Sequence, residues 1–127
     1  MPNTVLIVDD SDLLRRVIKE FLAKHAGADA FEEATDGRQA IVRVQASKPD
    51  LIILDLSMPG MSGHKAAAEL KKLAPEVPIL LFTIHDARPE DLGVDAVVSK
   101  VEGLGHLAER VRFFLTRDKP PALFAIV

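Results

Sequence analysis

The chain is predicted to fold as a doubly wound α/β domain with a parallel sheet. Three observations carry this. Short uninterrupted apolar runs recur at residues 5–8, 51–54, 79–82 and 96–98. Segments with apolar residues at helical spacing lie between them. The 127 residues, 48% apolar and 28% charged, suit one globular domain with a real core. Unbroken apolar runs of this length fit strands covered on both faces, and strand alternating with helix about five times is the pattern of the doubly wound class.

The first strand, 5–8, runs into Asp9-Asp10. Leu13, Leu14, Val17, Ile18, Phe21 and Leu22 then repeat at helical spacing, with Ser11 or Asp12 available as the cap. Residues 29–35 hold Phe31 among acids and read as an edge strand. A helix over 37–47 presents Ala40, Ile41 and Val44, and strand 51–54 follows. The next helix, 63–74, presents Ala66, Ala67, Leu70 and Leu73, and Pro75 ends it. After strand 79–82 the chain has little room. Thr83 and Lys100 are 17 positions apart (100 − 83), which leaves about ten residues for a crossover that normally needs about 10–12 with its helix. Helix four should therefore be a single turn near 89–92, or absent. Pro89 suits its first position, Glu90 and Asp91 its positive end, and Gly93 its stop. Strand 96–98 and a last helix over 103–116, with Leu104, Leu107, Val111, Phe114 and Leu115 on one stripe, complete a domain at 1–117. Residues 118–127 form a separate apolar tail after Pro120-Pro121, either a frayed end or a segment that docks through Leu123 and Ile126.

Composition excludes several function classes. With no cysteine there is no thiol catalysis, disulfide or cysteine-based metal site. A net charge of −3 without a Lys/Arg block argues against nucleic acid as a partner. The apolar runs are too short to span a bilayer and no signal-peptide pattern opens the chain, so no membrane partner and a cytoplasmic location are expected.

Ligands of open α/β sheets bind outside the carboxyl ends of the strands. Strand one ends at Asp9-Asp10, strand three at Asp55, strand four at Thr83 and strand five at Ser99-Lys100. Oxygen ligands without His or Cys favour a hard cation, Mg²⁺, and such an ion makes two adjacent carboxylates tolerable. Asp55, alone after a buried run, suits a carboxylate nucleophile or acceptor. Lys100 offers a point charge and Thr83 a hydrogen bond to an anion, the environment that phosphoryl transfer needs. Other motifs are weaker. Gly60 to Lys65 lacks P-loop spacing and reads as a turn and helix start, with Ser62 as a cap rather than a nucleophile. His25, His64 and His106 read as surface residues, whereas His85 lies at the same rim as Thr83.

The segments "VLIVDDSDLLRRVIKEFL", "PDLIILDLSMPGMSG", "PILLFT" and "VVSK" resemble those of a bacterial response-regulator receiver domain of the CheY-like type, over about residues 3 to 117. The resemblance implies a flavodoxin-like sheet in the order 2-1-3-4-5. It also implies a two-component signalling protein, not a classical enzyme, that is phosphorylated on aspartate by a histidine kinase or histidine phosphotransferase. By position, Asp55 is the phosphoacceptor. Asp10, Asp55 and the Ser57 carbonyl ligate Mg²⁺, Asp9 acts through a metal-bound water, Lys100 contacts the phosphoryl group, and Thr83 senses it. Ser57 and His85 fall where the family flanks the attacking water. The chain is expected to be a stand-alone receiver, monomeric or weakly dimeric, with an unnamed downstream protein target.

Four departures stand out. Val101 replaces the family's usual proline, so the Lys100–Val101 bond is either trans or strained. Val97 replaces the switch aromatic, Ile84 adds bulk beside the acceptor, and helix four is short. The face that dimerises in many relatives is thereby cut down, with Glu90 and Arg112 as its marker charges. Two alternatives stay open. One is a degenerate receiver that binds partners without phosphorylation. The other is a small Mg²⁺-dependent phosphatase of haloacid dehalogenase type using Asp10-Ser11-Asp12.

Overall fold

The structure is a computed structural model and describes residues 2–116; the tail at 118–127 lies outside the described residues. Five strands, β1 (Thr4–Val8), β2 (Ala30–Ala34), β3 (Leu51–Leu54), β4 (Ile79–Thr83) and β5 (Ala96–Ser99), form one sheet in the order β2-β1-β3-β4-β5. Every pairing is parallel. Five helices alternate with them: α1 (Asp12–His25), α2 (Gly37–Ala46), α3 (Gly63–Leu73), α4 (Pro89–Leu92) and α5 (Leu104–Thr116). The predicted class and strand order are both observed, with β2 at the sheet edge.

Side chains alternate across a strand, so each apolar run supplies two cores. Val5, Ile7, Ile53, Leu80, Phe82 and Val98 pack under α1 and α5 with Ile18, Leu22, Leu107 and Val111. Leu6, Val8, Ile52, Leu54, Ile79 and Leu81 face the other way, onto Ala40, Val44, Ala66, Ala67 and Leu70 of α2 and α3. Fully burying one Leu or Ile stabilises by roughly 1.5–3 kcal/mol, and among the described residues thirteen Leu and Ile side chains are essentially sealed from solvent. This double-sided core fixes the strand ends and, with them, the rim. No described helix is long and apolar enough to cross a membrane.

Helix starts follow local capping chemistry. Ser11 caps α1, its hydroxyl accepting from Leu14 N at 3.1 Å, while Asp12 sits in the first turn. Asp36 caps α2 through Gln39 N at 2.9 Å and Ser62 caps α3 through Lys65 N at 3.2 Å. Helix four is the single turn expected, with proline opening it and Gly93 closing it at φ 66° in the left-handed region. Where the family places proline, the Lys100–Val101 bond is trans, since no described peptide bond is cis. A 3₁₀ turn over Lys100–Glu102 takes over the loop. Ser99 Oγ accepts from Val101 N at 3.1 Å and Glu102 Oε1 accepts from Ser99 N at 3.0 Å, a reciprocal box that holds the turn without a ring.

Arg112 departs from its expected place. Its guanidinium donates to the His25 carbonyl at 2.8 Å, so it belongs to the seam between α1 and α5 rather than to the α4 side of the domain.

Candidate functional site

The parallel register brings the carboxyl ends of β1, β3, β4 and β5 to one edge, and with them Asp9, Asp10, Asp55, Thr83 and Lys100. Backbone bonds extend the ladder one residue past β1 and β3. Asp9 N donates to Ala34 O at 3.1 Å and Asp55 N to Val8 O at 3.0 Å, so both acids start from fixed backbone.

Asp9, Asp10 and Asp55 each place a carboxylate oxygen within 4.8 Å of the other two. Asp9 and Asp55 are buried and Asp10 is exposed, so the cluster opens to solvent on one side. Lys100 Nζ lies 3.1 Å from Asp9 Oδ2 and 3.5 Å from Asp55 Oδ2. One ammonium does not balance three carboxylates. Burial raises the Asp55 carboxyl above the ordinary carboxylate range, and the nearby Asp9 charge adds to the rise; the Ser57 N–H and Lys100 pull against it. A compact, all-oxygen, net negative donor set with one open side suits a divalent hard cation, and Mg²⁺ meets that requirement.

On the β4 side, Thr83 is fully buried and its hydroxyl accepts from the His85 N–H at 3.1 Å. The His85 ring reaches back across the rim, with Nε2 3.1 Å from Ser57 Oγ. Ser57 N donates to Asp55 Oδ1 at 3.3 Å. A chain of hydrogen bonds thus runs from Asp55 through Ser57 and His85 to Thr83. Of the family departures, Ile84 (66% exposed) and Val101 (88% exposed) present apolar surface to solvent at the rim, while Val97 packs with the α2–α3 core. Asp12 stands outside the acid cluster and pairs with Arg15, so Asp10 and Asp12 do not form the paired-acid centre that the phosphatase reading needs.

Two supporting residues were not singled out from the sequence. Arg15 is buried on α1 and Glu33 on β2 faces it. The signal was present in the spacing, since Arg15, Ile18 and Leu22 share the buried stripe of α1.

The comparisons agree with this fold. The family model described as "Response regulator receiver domain" matches residues 5–112. Response regulator protein VraR of Staphylococcus saprophyticus is 35% identical over 117 residues, which cover 88% of this chain and 56% of that protein. The chain therefore spans little more than half the length of that relative. Among solved structures, Vibrio cholerae chemotaxis protein CheY4 superposes with a TM-score of 0.77 at 27% identity, covering 88% of this chain and 98% of that one. A DNA-binding response regulator of the LuxR family from Staphylococcus aureus shares the fold, with a TM-score of 0.79 at 23% identity, covering 88% and 98%. An acid cluster, a lysine and a buried threonine thus occupy the strand ends of a sheet whose sequence matches one family model along most of its length, and the chain belongs to the response regulator receiver domains of two-component signalling.

Proposed function

We propose that Asp55 accepts a phosphoryl group from a phosphohistidine of a histidine kinase or histidine phosphotransferase, and that Mg²⁺ is required. The observation that carries the reading is Lys100 Nζ held between Asp9 and Asp55, at 3.1 and 3.5 Å, beside a three-carboxylate cluster. Asp9, Asp10, Asp55 and the Ser57 carbonyl are the groups that would hold the ion. Bound there, Mg²⁺ supplies positive charge to the oxygens of the group in transfer. The chain's own residues do the rest. An Asp55 oxygen attacks phosphorus, the P–N bond to the donor imidazole breaks, and the electron pair leaves with that ring. Lys100 is positioned to follow the charge from the free carboxylate onto the phosphoryl oxygens. The Thr83 hydroxyl accepts from the His85 N–H and keeps its own proton to donate to an oxygen of the acyl phosphate.

The receiver domain is assigned to residues 1–117, and no nucleic-acid or membrane contact is assigned to it. DNA binding is stated of the Staphylococcus aureus structure and belongs to that protein. Incubation with acetyl phosphate and Mg²⁺, followed by intact-mass measurement, tests the proposal. One phosphoryl mass is expected, lost on chelation and in Asp55→Ala. Wild-type protein that stays unlabelled by both acetyl phosphate and a phosphorylated histidine phosphotransferase would move the assignment to the degenerate receiver.

A further inference from the structure

Arg15 is a full charge in the wall between α1 and the sheet, with only 7% of its surface exposed. Its guanidinium has three partners. Nε donates to Glu33 Oε1 at 2.9 Å, one terminal nitrogen donates to Asp12 Oδ1, and the other donates to the backbone carbonyl of Asp9 at 2.5 Å. Glu33 is held in turn by Lys19 Nζ at 2.9 Å. The carboxylates of Asp12 and Glu33 neutralise the guanidinium. The Asp9 carbonyl therefore receives a directed hydrogen bond rather than a bare field.

That carbonyl is the lever. It belongs to the peptide unit joining Asp9 to Asp10, and the unit is planar, so fixing its oxygen fixes the bond from which Asp10 leaves. The preceding unit is already pinned, because Asp9 N donates to Ala34 O. The Asp9 carboxylate is held from a third side by Ser11 N at 2.9 Å. Asp10, exposed and with no side-chain hydrogen bond among the described residues, has only its backbone to aim it. We propose that Arg15 is a positioning residue for the cation site: it clamps the Asp9–Asp10 peptide to Glu33 of β2 and so sets the angle at which Asp10 presents its carboxylate. The proposal rests on the reading of the acid cluster as a Mg²⁺ site.

The clamp gives a sign opposite to that of simple electrostatics. A cation near a cation site repels the ion, so removing the Arg15 charge should tighten Mg²⁺ binding if charge alone mattered. A role confined to packing would lower thermal stability and leave affinity in the folded protein unchanged. Positioning predicts weaker binding, because groups that orient metal ligands typically matter 10–100-fold.

The chain has no Trp or Tyr, so Mg²⁺ binding is best read by calorimetry or amide chemical shifts, at a temperature where circular dichroism shows each variant folded. Arg15→Met should raise the Mg²⁺ Kd about tenfold. Its acetyl phosphate labelling should be slowed at low Mg²⁺ and recovered at saturating Mg²⁺. Arg15→Lys keeps the charge, but one ammonium cannot span the three acceptors, so its Kd should rise about threefold or more even if Arg15→Met fails to fold. Lys19→Met breaks the neighbouring ion pair without touching the clamp and should leave Kd within about twofold. Unchanged or tighter Mg²⁺ binding in folded Arg15→Lys overturns the clamp, as does a Lys19→Met defect equal to it. If wild-type protein shows neither Mg²⁺ binding nor labelling, the functional reading fails first and the clamp with it.

Discussion

Asp55 is held ready at a cost to the fold. Its carboxylate is nearly sealed from solvent, so its carboxyl lies above the ordinary carboxylate range, with burial as the main cause. The sign follows from linkage. A carboxyl whose folded-state pKa is raised destabilises the native state above that pKa, and the cost fades as pH falls through it. Asp55→Asn in the absence of metal should therefore stabilise the protein near pH 7 by about 1 kcal/mol, a few degrees in Tm. The gap to wild type should narrow on acidification. Thermal melts at several pH values check this, and a less stable Asp55→Asn would contradict it. Glu33 behaves oppositely. The hydrogen bond from Lys19, the largest cause, and that from Arg15 hold it below its ordinary range, so its contribution is present at neutral pH and lost in acid. Across the rim, His85 and Ser57 bond to each other, and neither offers a carboxylate or carboxamide to orient water over the acyl phosphate. Self-dephosphorylation should be slow. His85→Glu and Ser57→Asn should alter its rate, read as decay of the phosphorylated mass; equal decay in both variants and wild type would remove these side chains from control of lifetime.

At the scale of elements, α3 shows how the site loop is anchored. A Cβ on Gly63 would meet Leu56 Cα at 2.4 Å and the Asp55 carbonyl oxygen at 2.9 Å, and backbone atoms cannot step aside. Gly63→Ala should cost about 3 kcal/mol and displace the loop after Asp55. Loss of thermal stability together with slowed labelling is the expected outcome; a variant with wild-type melting would show that the helix start can shift freely. Much of this layer was legible in the sequence, for physical reasons. Strands of a parallel sheet are buried on both faces, so their apolar runs stand out, and the 17 positions between Thr83 and Lys100 limited α4 to one turn. Ser11 and Asp12 were not separable as caps, because both carry a suitable acceptor and only the backbone angle decides. Arg15 does not stand out in the sequence, because an arginine on a helix usually faces water. The box of Ser99 and Glu102 replaces a proline through side-chain bonds, and these are visible only once the turn is formed.

For the whole molecule, the short α4 changes what the surface can do. The helix buries none of its residues, and Glu90 and Asp91 keep its exterior acidic. Val97 packs inward, so the position of the switch aromatic carries no ring. Phosphorylation is therefore expected not to drive dimerisation through α4, β5 and α5. Sedimentation with and without beryllofluoride should give the same monomeric or weakly dimeric species. A mimic-induced dimer broken by Glu90→Lys would refute this. The tail at 118–127 is open to a matching test: truncation after Asp118 that changes stability or association would favour docking over a frayed end.

One carboxylate of the rim, Asp55, is proposed to carry the phosphoryl group. Borohydride reduction of the labelled protein converts an acyl phosphate to the corresponding alcohol, so the modified position can be read by peptide mass spectrometry. Homoserine is expected in place of aspartate at Asp55, dependent on Mg²⁺, with Asp9 and Asp10 unreduced. Reduction at Asp9 or Asp10, or label that persists in Asp55→Ala, would contradict it.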